Sequence, residues 1–224
     1  MYFRELQPEA CYGNANAVYS LWAQSRKNNM TQFIDPDTID LTALPPLLPY
    51  MPEAEYKWLL ERMDRFVWVV EIGGGLGSFY WNKNLECTVF KTIEHDPRWF
   101  RLLAAINCLA PPEAPGFPRL DPFFGPPEPP FPDILFDRQA IPRRDVIPYE
   151  SDLCFFLDGS NRFYWASHIA ECFKAHILIH DWNRPEYKEI LTYYDIVEED
   201  TSGQGCALLK PKPLSGQQLT RPHM

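Results

Sequence analysis

The chain has 224 residues, 46% of them hydrophobic, and a net charge of -9 from 21 Lys and Arg against 30 Asp and Glu. That length suits one sizeable α/β core with additions and leaves little room for two full domains. The acidic balance argues against nucleic acid as a partner, since basic pairs such as Arg143-Arg144 are broken up by acids and prolines, and neutralising phosphates takes several cations on one face.

Six scattered cysteines (Cys11, Cys87, Cys108, Cys154, Cys172 and Cys206) include no C-x-x-C pair, which speaks against a zinc ribbon or redox motif. Cys154 lies in an apolar run and reads as a small core residue. The first residues lack the basic-then-apolar order of a signal peptide, and no apolar run approaches the roughly 18 residues a membrane helix needs. No membrane contact is expected, and a reducing cytoplasm is the expected compartment.

In chain order, residues 8 to 28 are helix-compatible, with Val18, Leu21 and Trp22 at helical spacing. A proline-rich loop follows, then a second predicted helix over 53–64 with Tyr56, Leu59, Leu60 and Met63 on one face. Together these are predicted to form an N-terminal helical cap over residues 1–64. The core is predicted over 65–212, and residues 213–224 read as a flexible tail. The core opens with the apolar, β-branched run Phe66 to Ile72, which suits a strand buried on both faces. Glycines and a short helix come next, and Cys87 to Ile93 reads as a second strand.

Pro97 then opens a helix carrying Trp99, Leu102, Leu103 and Ile106. Residues 111–132 form a Pro-rich insert that excludes regular helix or central strand. Ile134 to Phe136 is a candidate third strand, which would make Asp137 a candidate adenine contact. Regular alternation returns with strand 153–157, helix 162–174, strand 176–179 and helix 185–193. Two last strands, 194–197 and 206–209, are joined through Thr201-Ser202-Gly203. The pattern predicts a doubly wound, Rossmann-like α/β fold with a mostly parallel sheet and a C-terminal antiparallel hairpin.

The segment Glu71-Ile72-Gly73-Gly74-Gly75-Leu76-Gly77 places glycines between strand and helix, where backbone N–H groups approach a ligand. Glu94, about 20 residues on at the next strand end, is placed to meet ribose hydroxyls. The alternative for this loop is a tight turn alone, and Asp96 before Pro97 reads as a helix cap. A dinucleotide fingerprint fails at its third glycine, where Ser78 or Tyr80 stands.

E-x-G-G-G-x-G instead resembles motif I of class I S-adenosylmethionine-dependent methyltransferases. W-L-x-E-R-M before it and I-E-H-D-P-R-W after it resemble small, mostly uncharacterised bacterial-type members. The resemblance covers about residues 66–210 except 111–132. It implies a seven-stranded sheet with S-adenosylmethionine held by Glu71, Gly73, Gly75, Gly77, Glu94 and Asp158.

Asp158-Gly159 and His180-Asp181-Trp182-Asn183 each follow a strand, at the sheet edge where ligands bind in such folds. F-F-L-D with I-H-D-W-N resembles the catechol and caffeoyl-CoA O-methyltransferase arrangement. That likeness implies a divalent cation, Mg²⁺, on Asp158, Asp181 and Asn183, although Trp182 stands where the family has its asparagine. The metal-free alternative makes His180 the general base, oriented by Asp158 or Asp181. The bland alternative is that these residues make turns and helix caps.

Arg162 either clamps an anionic substrate group or pairs with Asp158 or Glu150. Trp182 and Asn183 are candidate substrate contacts, with core packing the competing role for Trp182 and Trp165. The expectation is O-methylation of a small molecule, with the oligomeric state left open and a homodimer the one assembly considered. The rivals are another metal-dependent enzyme on this fold, a non-catalytic scaffold and a dehydrogenase.

Overall fold

The computed structural model describes residues 35–39, 47–86, 89–109, 120, 122–130, 141 and 152–213. The expected helix at 8–28, the candidate strand at 134–136, Asp137 and the tail beyond 213 lie outside the described residues.

Described elements run α1 (Glu53–Met63), β1 (Trp68–Ile72), α2 (Leu76–Asn84), β2 (Val89–Glu94), α3 (Pro97–Leu109), β3 (Pro122–Phe124) and β4 (Leu153–Leu157). Then come α4 (Arg162–Cys172), β5 (His176–His180), a 3-10 helix (Pro185–Thr192), β6 (Tyr194–Asp200) and β7 (Cys206–Pro211). One seven-stranded sheet has the order β3-β2-β1-β4-β5-β7-β6. Only β7 runs antiparallel to its neighbours β5 and β6. The expected doubly wound sheet with a C-terminal hairpin is therefore present.

One strand was not anticipated. The third described strand is Pro122–Phe124, inside the Pro-rich insert, while the candidate Ile134 to Phe136 lies outside the described residues. It pairs only with β2, at the sheet edge. A strand opening on proline is tolerated there, because the missing N–H faces no partner strand. Asn107 of α3 brackets the approach to it, accepting the Leu120 N–H at 3.0 Å and donating to the Leu120 carbonyl.

Strand alternation distributes the core. Val70, Ile72, Phe155, Leu157, Ile177 and Ile179 face α4 and the 3-10 helix. Val69, Cys154, Phe156, Leu178 and Leu208 face α1, α2 and α3. Helix α1 lays Tyr56, Leu59 and Met63 directly on that second face, so this part of the predicted cap shares the sheet's own core. The same parity carries Glu71, His180 and Cys206 to the α1 side.

Candidate functional site

The carboxyl ends of β1, β2, β4 and β5 converge on one edge. Gly73 has φ +96°, and a Cβ there would come within 2.2 Å of the Gly159 Cα. The turns after β1 and β4 thus touch backbone to backbone, which only glycine allows. Hydrogen bonds from the Asp158 and Gly159 N–H groups to the Ile72 carbonyl, at 3.1 and 3.0 Å, fasten the two turns.

Glu71 is buried beneath the loop and accepts hydrogen bonds from the Ser78 and Thr92 hydroxyls. The Ser78 Oγ in turn accepts the Gly75 N–H at 2.9 Å. Burial, offset in part by those hydroxyls, pushes the Glu71 carboxyl up to about 8. Glu71 therefore shapes the glycine loop from below. Gly77 is also spent on packing, since a Cβ there would sit 3.0 Å from the Pro49 Cα. Gly75 differs, for a Cβ built on it meets no described atom within 4 Å.

Glu94 ends β2, with its Oε1 accepting the His95 and Asp96 N–H groups at 2.7 and 2.6 Å. Burial pushes its carboxyl up to about 7 against those donors. Asp96 takes the capping role, accepting the Arg98 N–H at 2.8 Å at the start of α3. His95 reaches across to Ser160, Nε2 to Oγ at 3.0 Å, linking the turns after β2 and β4.

At the ends of β4 and β5 lies a buried ion cluster. His180 Nδ1 is 3.0 Å from Asp158 Oδ1, and its Nε2 is 3.1 Å from Glu55 Oε2. Asp181, at φ 62°, holds Arg162 at 3.1 Å and Arg184 at 2.8 Å. Burial alone would discharge the His180 ring. The Asp158 charge and hydrogen bond, then Glu55 and Asp181, outweigh it and raise the ring to about 9. Burial likewise opposes the Asp158 anion, yet His180 and Arg162 hold its carboxyl below the ordinary range. Glu55, Asp158 and Asp181 are thus matched by His180, Arg162 and Arg184, and no net charge is left to compensate.

The geometry bears on three of the site expectations. A Mg²⁺ site on Asp158, Asp181 and Asn183 does not fit, because both carboxylates already carry cations. The Asn183 amide, moreover, donates to the Thr201 and Gly203 carbonyls at 2.9 and 3.1 Å. No group of three or more His, Cys, Asp or Glu residues suited to a metal occurs among the described residues. Both ring nitrogens of His180 are occupied by carboxylates, Nδ1 by Asp158 and Nε2 by Glu55, which favours the charged ring over a general base.

Arg162 has no donor left for a substrate. Its five N–H groups go to the carbonyls of Gly159, His180 and Asp158 and to the Asp181 and Asp158 carboxylates. Trp182 is fully buried, with its indole N–H on Glu199 Oε2 at 2.9 Å, and Trp165 is also core.

Glu55 was not among the sequence candidates. Its one signal was an acid on the apolar face of α1, four residues before Leu59. Asp158 is the most exposed acid of the cluster. Its side chain keeps 27% exposure, and no described residue hydrogen-bonds its Oδ2.

No protein-family model matches the chain, and no curated protein matches its sequence. Among solved structures it is similar to a methyltransferase-like protein from Silicibacter pomeroyi, at 17% identity and TM-score 0.50, over 76% of this chain and 93% of that one. It is also similar to a Staphylococcus aureus protein assigned as a caffeoyl-CoA O-methyltransferase, at 11% identity and TM-score 0.49, over 88% and 99% of the two chains. The chain shares the fold of that methyltransferase-like protein. No helix among the described residues is long and apolar enough to cross a membrane.

Proposed function

We propose that the protein is an S-adenosylmethionine-dependent methyltransferase acting on a small molecule, with an oxygen nucleophile as the first acceptor class to test. One observation carries the reading. The loop after β1 is braced from beneath by Glu71, opens at Gly75, and lies one strand from the Glu94 carboxylate. Such a cradle lets the open backbone at Gly75 and a diol-binding carboxylate approach one ligand. Gly73, Gly75 and Glu94 would hold the cofactor, with Asp158 Oδ2 beside them.

The bound cofactor supplies an electrophilic methyl group on a sulfonium. The chain's part is to orient the acceptor and manage its proton. Asp158, kept anionic, accepts a hydrogen bond from the acceptor O–H through Oδ2 and takes the proton only as the new bond forms. His180 and Arg162 hold that carboxylate in place.

The test is calorimetric titration with S-adenosylhomocysteine, in EDTA and in Mg²⁺, beside Glu94→Ala. Micromolar binding, about -8 kcal/mol, that is lost in the variant and indifferent to Mg²⁺ supports the reading. Folded wild-type protein that does not bind ends it.

A further inference from the structure

Glu55 is 1% exposed, although it belongs to the first turn of a helix whose other buried residues are apolar. A carboxylate taken out of water costs several kcal/mol unless partners replace its hydration. Two partners from distant parts of the chain do so. Oε1 accepts the Gln204 N–H at 2.7 Å, in the turn between β6 and β7. Oε2 meets His180 Nε2 at 3.1 Å.

The turn is shaped around this carboxylate. Gly203 has φ +57°, and a Cβ there would lie 2.0 Å from Glu55 Oε1. A side chain at 203 and the acid at 55 cannot both keep their places. On the far side of the ring, His180 Nδ1 grips Asp158 Oδ1. A continuous line thus runs from the β6–β7 turn through Glu55 and His180 to the Asp158 carboxylate, whose Oδ2 no described residue hydrogen-bonds.

We propose that Glu55 is a positioning residue of the site. By fixing the β6–β7 turn with one oxygen and the His180 ring with the other, it sets the direction in which Asp158 presents Oδ2. The proposal rests on the methyltransferase reading only for what Asp158 then contacts. The groups that face the ring are Glu55 from α1, Asp158 from the end of β4, Asp181 at 4.0 Å, Arg162 on the His180 carbonyl, and Cys206 opposite on β7. Of these only Glu55 reaches Nε2, so its effect on the ring is separable from the rest.

The experiment compares wild type with Glu55→Gln, which keeps the shape and an acceptor for Gln204 but carries no charge. Nitrogen-15 spectra of histidine-labelled protein near neutral pH read the protonation of the His180 ring, with His180→Gln giving the assignment. Calorimetry with S-adenosylhomocysteine reads the consequence at the site.

A doubly protonated ring in wild type, a singly protonated ring in Glu55→Gln and affinity lowered about tenfold support the proposal. Affinity and ring signals both unchanged would overturn it. So would a change in either one without the other, since the effect would then not run through His180 to Asp158.

If Glu55→Gln does not fold, Gly203→Ala displaces the carboxylate without removing it and is judged by the same readouts. Wild-type protein that fails to bind the probe counts against the cofactor reading alone, and the ring signals then decide this one.

Discussion

Alkaline pH should loosen the ion cluster through His180. The ring ordinarily titrates at 6.5 and is held to about 9 in the fold. That displacement is worth about 3 kcal/mol. Burial opposes the charge, and Asp158, Glu55 and Asp181 more than offset it. The folded value lies above the unfolded one. The contribution is therefore complete below the unfolded value of 6.5 and is lost as pH rises through about 9.

Urea unfolding of wild type and His180→Gln, followed from below 6.5 to above 9, isolates the effect. Glutamine has no charge to lose, so the stability gap should narrow by about 3 kcal/mol across that range. Glu71 and Glu94, raised to about 8 and about 7, titrate within it in both proteins and cancel in the difference. A gap that stays constant throughout would refute the argument, because His180 would then be equally protonated in the folded and unfolded chains.

Two further outcomes follow from the packing. Gly203→Ala should cost about 1–2 kcal/mol for its left-handed backbone, plus a clash with Glu55. In a Glu55→Ala background only the backbone part should remain, and additive losses in the double-mutant cycle would mean that the two residues do not meet. Cys154 and Cys206 are fully buried, and burial pushes both thiols far up, while Cys108 and Cys172 are exposed. Peptide mapping after brief alkylation should find Cys108 and Cys172 modified in native protein and Cys154 and Cys206 only after denaturation. Prompt labelling of Cys206 would show that β7 opens in the native state.

Local pattern made most of the fold legible. The run ending at Ile72 had to be a strand buried on both faces, and it forms β1 between two parallel neighbours. Leu153–Leu157 was readable for the same reason. The third strand was not. The prolines of 111–132 excluded a central strand, and Pro122–Phe124 pairs at the sheet edge, where a proline is tolerated. The 3-10 helix Pro185–Thr192 falls where a helix was predicted over 185–193.

At the site, sequence alone determined which residues stand at strand ends: Gly73, Glu94, Asp158 and His180 all follow from hydrophobic periodicity. Their partners were decided by tertiary structure. Strand parity turns His180 toward α1, where Glu55, distant in sequence, awaits it. A divalent-cation reading of Asp158 and Asp181 was reasonable while their surroundings were unknown. Once Arg162 reaches both carboxylates and Arg184 joins at Asp181, the charge a metal would bring is already supplied. Electrostatic role depends on every charge within a few ångströms, and chain folding, not sequence proximity, chooses that company.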